Sequence, residues 1–252
     1  MGALDSKTLI GRAIRLPLRW IPESSIVRVV SGPSAGTKWI VGSAPHGAWL
    51  GTLERSKLAH FVAHVKPGST VWDIGANVGL YALASARAVG SSGAVVAFEP
   101  FERNLEFLRR HKEINHLDNL SIVHAAVFDR TGALQMQLGD SPSEFHVSDE
   151  GSIEVDAIDL DTWSHDEDRD APDVVKIDVE GAEEAVLRGG RDLFSRCRPL
   201  IYLALHGDEP RKRCQELLEG WGYRLMPLDG VDDPSVSDEW FAEPRRDSGP
   251  EK

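Results

Sequence analysis

A chain of 252 residues is long enough for one α/β domain with a large core, and its 40 acidic against 28 basic side chains give a formal net charge of -12. That excess disfavours nucleic acid and anionic membranes as partners. The two cysteines, Cys197 and Cys214, are too few for a disulfide scaffold and lack zinc-ligand spacing. No apolar run reaches the roughly 18 residues of a membrane span, so a cytoplasmic protein without a stable membrane anchor is expected.

The first 28 residues are the basic end. Lys7, Arg12, Arg15 and Arg19 interleave with Leu9, Ile10, Ile14, Leu16 and Trp20, the pattern of a short amphipathic helix that packs on its own domain or on a second subunit. A homodimer is the expected assembly. Over 26–53, V-R-V-V, T-K-W-I-V-G and H-G-A-W-L-G-T-L read as short strands with glycine turns. Trp39 and Trp49 read there as packing residues, His46 and Glu54 as candidates to line a site. A helix over 58–65 leads into the centre of the chain.

Residues 70–74, T-V-W-D-I, read as a buried strand, and the alanine-rich run 80–89 reads as a helix. Between them Gly75, Asn77 and Gly79 form a turn at which a ligand approaches the backbone, with the N–H groups of a helix N-terminus behind it. A second strand, 94–98, ends in Glu99, 24 positions after Gly75, where a doubly wound fold places the acceptor of a ribose hydroxyl. The turn lacks the G-x-G-x-x-G of pyrophosphate sites. Asp73 repels a phosphate but suits a ligand with an ammonium and a sulfonium, which favours S-adenosylmethionine. An NAD-dependent oxidoreductase is the alternative from another class.

An amphipathic helix is predicted over 101–115 and a third strand over 119–127, whose small Ala125 and Ala126 leave room for adenine. Strands over 133–138 and 153–158 then break the α/β alternation around a polar loop. Such an insertion beside the ligand end of a parallel sheet builds an acceptor pocket, and His146 within it is the candidate general base. A fourth strand, 173–177, delivers Asp178 and Glu180 to the same edge before a helix over 182–187. Carboxylates held that close need a cation, a proton or a hydroxyl between them. Strand 198–205 adds His206 and Asp208, followed by a helix over 209–220 and a last strand over 223–228. From Asp229 on, the acidic, proline-bearing tail reads as loose. Asp178, Glu180, His206 and Asp208 are candidate Mg²⁺ ligands, and His146, Asp178, Glu180 and His206 the candidate catalytic groups.

D-I-G-A-N-V-G-L at 73–80, A-F-E-P at 97–100, H-A-A-V at 124–127 and V-K-I-D-V-E-G-A-E at 175–183 resemble the motifs of FkbM-type S-adenosylmethionine-dependent methyltransferases. The resemblance spans about residues 54–223. It implies the α/β class I methyltransferase fold, Rossmann-like and doubly wound, with a mostly parallel seven-stranded sheet and a β insertion. Residues 1–54 become an N-terminal extension over the site, 55–228 the catalytic domain and 229–252 a flexible acidic tail. Asp73, Gly75, Asn77, Gly79, Glu99, Ala125, Ala126 and Asp178 are expected at the cofactor. The implied reaction is O-methylation of a sugar hydroxyl in a polysaccharide or glycolipid, by in-line displacement with a general base and Mg²⁺. A polyketide-type acceptor is the alternative. At one position the chain departs from the family, which usually carries a glutamate where Ala204 stands, and no role is carried onto it.

Overall fold

The computed structural model describes residues 18, 20–138, 145–147, 151–165 and 170–245. Most of the basic, amphipathic N-terminal stretch lies outside these residues. β1 (Ile26–Arg28) and β2 (Lys38–Ile40) pair as an antiparallel ribbon, followed by a one-turn helix α1 (Gly47–Leu50) and by α2 (Arg55–His64). The stretch H-G-A-W-L, expected as a strand, is thus a helical turn. Gly51 ends it in the left-handed region at φ 74° and returns its N–H to Ala48 and Gly47 carbonyls.

β3 (Thr70–Ile74), α3 (Leu80–Val89), β4 (Ala94–Phe98), α4 (Glu102–Asn115) and β5 (Leu120–Val123) follow as predicted βα units. The third strand does not run through to residue 127. It ends at Val123, and β6 (Ala126–Val127) joins a separate four-stranded sheet with β7 (Gly132–Leu138), β8 (Phe145–Val147) and β9 (Ile153–Ile158), the predicted insertion. After α5 (Leu160–Ser164) come β10 (Val174–Ile177), α6 (Glu183–Gly189), α7 (Arg191–Cys197), β11 (Leu200–Ala204), α8 (Asp208–Gly220), β12 (Tyr223–Pro227) and β13 (Glu239–Pro244).

The main sheet has seven strands in the order β12-β13-β11-β10-β3-β4-β5, and only β13 runs against the rest. Every residue of β3 is buried, because helices cover both faces of the sheet. Side chains alternate across it: Val71 packs with one apolar layer, Trp72 and Ile74 with the other. The tail is where expectation and structure part. β13 lies inside the stretch read as loose, and Trp240 and Ala242 are fully buried. Its apolar run, W-F-A, is too short and too flanked by acids and proline to be legible alone, and becomes a strand by filling the gap between β11 and β12.

Candidate active site

Two cavities open at the carboxyl edge of the sheet. The smaller, about 120 Å³, is walled by Glu99, Phe101, Asn104, Ala125 and Ala126. The larger, about 500 Å³, runs under the stretch 39–45 and is walled by Trp39, Glu54, Asp73, Tyr81, Arg103 and Lys176. Gly75, Asn77 and Asp178 line both, so the two form adjoining halves of one cleft.

The turn after β3 is built for close approach. Gly75 has φ 79°, and a Cβ there would sit 1.9 Å from the Asp178 carbonyl oxygen; only glycine fits. Asn77 is left-handed at φ 51° and donates its backbone N–H to Glu99 Oε2 at 2.8 Å. Gly79, expected at the cofactor, lines neither cavity. Its Cβ would meet Leu83 and Leu108 side chains at 2.5 and 2.6 Å, which makes it a packing glycine between α3 and α4.

Glu99 is 3 % exposed and also accepts from Phe101 N and Asn104 Nδ2, both at 3.1 Å. Burial pushes its carboxyl above the ordinary range. A carboxylate has about four acceptor positions, which leaves room for a ligand hydroxyl beside three protein donors. Asp73, on the opposite side of the turn, is 2 % exposed, and burial raises it to about 7 against the pull of Lys176. Its Oδ2 is buried without a hydrogen-bond partner among the described residues.

Lys176, the one charge in β10, is buried beneath the larger cavity, 3.1 Å from Asp178 Oδ2 and 5.1 Å above the Tyr81 ring. Burial lowers its ammonium pKa, but Asp178, Glu239 and Glu54 outweigh that and raise it. Burial likewise pushes Asp178 up, and Lys176 brings it below the ordinary value. Tyr81 donates to Glu54 Oε2 at 2.7 Å, so Glu54 does line the cleft. His46 does not: it accepts from Trp49 Nε1 at 3.1 Å and is absent from both walls.

Asp178, Glu180 and His206 converge. His206 Nε2 lies 3.2 Å from Glu180 Oε2 and 4.0 Å from Asp178 Oδ1, and one donor atom from each lies within 4.8 Å of the others. Glu180 reaches this place from a left-handed backbone, φ 53°. Behind it the His206 Nδ1 bonds Glu183 Oε1 at 2.8 Å. That bond, and then the neighbouring carboxylates, raise His206 to about 9. Asp208, expected in this set, is turned away: its carboxylate is 94 % exposed and pairs with Arg211 at 2.8 Å on its own helix. His146 falls on β8, opposite Gln137, and its side chain is outside the described residues. Sequence reasoning missed Lys176, Tyr81 and Glu183. Lys176 carried a signal, a lone charge in an otherwise apolar strand.

The wall over the larger cavity is pinned from α4. His111 accepts from Ile40 N at 3.0 Å through Nε2, its Nδ1 contacts Val78 O at 2.8 Å, and its ring stacks on Trp39 at 4.3 Å. Asn115 accepts from Lys38 N and donates to Lys38 O.

Comparison with known proteins adds to this geometry. A family model described as the methyltransferase FkbM domain matches residues 73–225. The chain is 26 % identical over 198 residues to the 2-O-methyltransferase NoeI of Sinorhizobium fredii, covering 71 % of this chain and 75 % of that protein. Among solved structures, a candidate rRNA-methylase from Clostridium thermocellum matches with TM-score 0.50 at 13 % identity, over 74 % of this chain and 90 % of that one. Methyltransferase FkbM from Methylobacillus flagellatus matches with TM-score 0.48 at 19 % identity, over 78 % of this chain but only 52 % of that chain. The family match, the sheet order above and the likeness in fold to the Clostridium structure are those of class I S-adenosylmethionine-dependent methyltransferases. Among the described residues no helix is long and apolar enough to cross a membrane.

Proposed function

Because the chain belongs to the FkbM methyltransferase family, we propose that this S-adenosylmethionine-dependent methyltransferase acts on oxygen, and that its acceptor is a hydroxyl of a sugar. The observation that carries this reading is the gathering of Glu180 and His206 around Asp178, the member of the three that lines both halves of the cleft; Glu180 lines the smaller half, and His206 stands behind the wall. The printed activity of the Sinorhizobium relative, 2-O-methylation, supports oxygen as the target.

In this reading the smaller cavity takes the adenosine, with Ala125 and Ala126 making room for the ring and Glu99 accepting from a ribose hydroxyl. Asp73, whose Oδ2 has no partner among the described residues, takes the amino-acid ammonium in the larger cavity. The bound cofactor supplies a methyl group activated by its sulfonium. What the chain must add is alignment, exclusion of water and a destination for the hydroxyl proton.

The two carboxylates are oxygen donors of the kind Mg²⁺ or Mn²⁺ takes, and the imidazole nitrogen beside them suits a borderline divalent ion, so the mixed set fits a divalent cation. Such an ion lowers the pKa of a hydroxyl it touches. Asp178, Glu180 and His206 would hold it, and Asp208 would not. His146 is proposed as the proton acceptor, on the insertion sheet. A polyketide-type acceptor is the second reading, favoured by the apolar and aromatic wall of Trp39, Leu53, Leu80 and Tyr81.

Mass spectrometry of methyl transfer to a panel of glycosides and macrolactones, with and without EDTA, tests this. The expected result is a gain of one methyl on a glycoside, abolished by EDTA. Transfer only to macrolactones would sink the sugar reading, and transfer unaffected by exhaustive chelation the metal.

A further inference from the structure

Glu183 stands behind the cluster rather than in it. It is the first residue of α6 and its side chain is fully buried. One oxygen, Oε1, accepts from Gly181 N at 2.9 Å and faces His206 Nδ1 at 2.8 Å. The other, Oε2, is buried with no hydrogen-bond partner among the described residues. That is an expensive way to fill space, since a buried carboxylate oxygen left unpaired costs stability and an apolar side chain of similar volume would not.

We propose that Glu183 is a positioning residue for the divalent cation: it holds His206 in the Nδ1–H tautomer and fixes its ring so that the Nε2 lone pair points at the space between Asp178 and Glu180. The inference rests on the metal reading above. A carboxylate acceptor behind a ligating imidazole orients the ring and makes its other nitrogen a better donor. Nδ1 lies 2.8 Å from Glu183 and Nε2 3.2 Å from Glu180; in the metal-free protein the carboxylates favour a proton on Nε2, and a bound cation takes that proton's place. The unpaired second oxygen is the cost of placing a full negative charge, rather than an amide, behind that ring.

Manganese(II) is the probe, and its binding to the full chain is followed by the loss of its free-ion electron paramagnetic resonance signal. The wild-type chain is expected to bind one ion. Glu183→Gln keeps an acceptor for the imidazole but removes the charge, and Glu183→Leu removes both; they are expected to weaken binding by about tenfold and up to a hundredfold respectively. Neither change should lower the unfolding midpoint as far as a cavity-forming core substitution does, and thermal unfolding of each variant is recorded alongside. Equal manganese affinity in folded wild type and Glu183→Gln, with His206→Ala weakened, overturns the positioning role and leaves the metal reading standing. No manganese binding by the wild-type chain overturns both. If Glu183→Leu fails to fold, Glu183→Gln alone decides.

Discussion

Ala204 on β11 and Glu239 on β13 are direct partners across an antiparallel pair. The family resemblance leads one to expect a carboxylate on β11 at this point; here it comes from the neighbouring strand. Glu239 is ion-paired to Lys57, which also lies 3.8 Å from Glu54. Burial raises the Glu239 carboxyl pKa, against Lys57 and Lys176. The acid is thus wired to the floor of the cleft from a segment that reads as a loose tail.

Replacing Glu239 by Ala should destabilise the fold by about 2 kcal/mol, the scale of a charged hydrogen bond, and reduce methyl transfer. Ala204→Glu alone should also destabilise, because like charges directly opposite repel. The double substitution returns one carboxylate to this pair and should recover part of both losses. Denaturant unfolding of the four chains measures it; strict additivity of the two changes would show that the positions do not communicate.

Asp73 sets a proton linkage for cofactor binding. With its free-state pKa raised to about 7, the carboxyl must lose a proton below that pH to meet a cationic ligand. Affinity for S-adenosylmethionine should therefore be level above pH 7 and fall by up to tenfold per pH unit below it. Isothermal titration from pH 5.5 to 8.5 reads the slope. Asp73→Asn should bind weakly with no slope, and a slope that survives the substitution would remove Asp73 from this role.

His111 links the wall to stability. Its pKa is lowered to about 4, by burial first, so the folded state holds it neutral while the unfolded chain protonates it near 6.5. Between those values the unfolded state binds the extra proton, and stability falls as pH drops from 6.5 towards 4, by on the order of 3 kcal/mol. It levels off below. A urea series across this range should show the loss, and His111→Gln should lack it.

The two glycines of the turn should separate binding from packing. Gly75→Ala forces a Cβ into the Asp178 carbonyl from a left-handed backbone and should abolish cofactor binding. Gly79→Ala meets only the ends of Leu83 and Leu108 side chains, with backbone strain added. It should cost about 1–3 kcal/mol yet leave affinity within a few-fold in the folded fraction. Equal loss of affinity in both would refute the distinction.

What could be read in advance follows from how local the cause is. β4, β9 and α3 appear where periodicity places them, since each carries its own apolar pattern. Asp178, Glu180 and His206 meet because parallel neighbours β10 and β11 end at the same edge. Asp208 was misplaced by the same rule, because the first turn of α8 carries it outward to Arg211. Glu183 was unreadable as a site residue. Its part is defined by a histidine 23 positions on, a relation that exists only after folding.

The position of β13 bears on how the protein is made. The sheet's order leaves a slot between β11 and β12, and the strand that fills it is the last of the described elements to be synthesised. A nascent chain with everything before Glu239 outside the ribosome would expose two unpaired strand edges and lack the buried indole of Trp240. Chains stalled or truncated before that tryptophan should be the sticky, chaperone-bound species in the cell, although they already hold Asp73, Glu99 and Asp178.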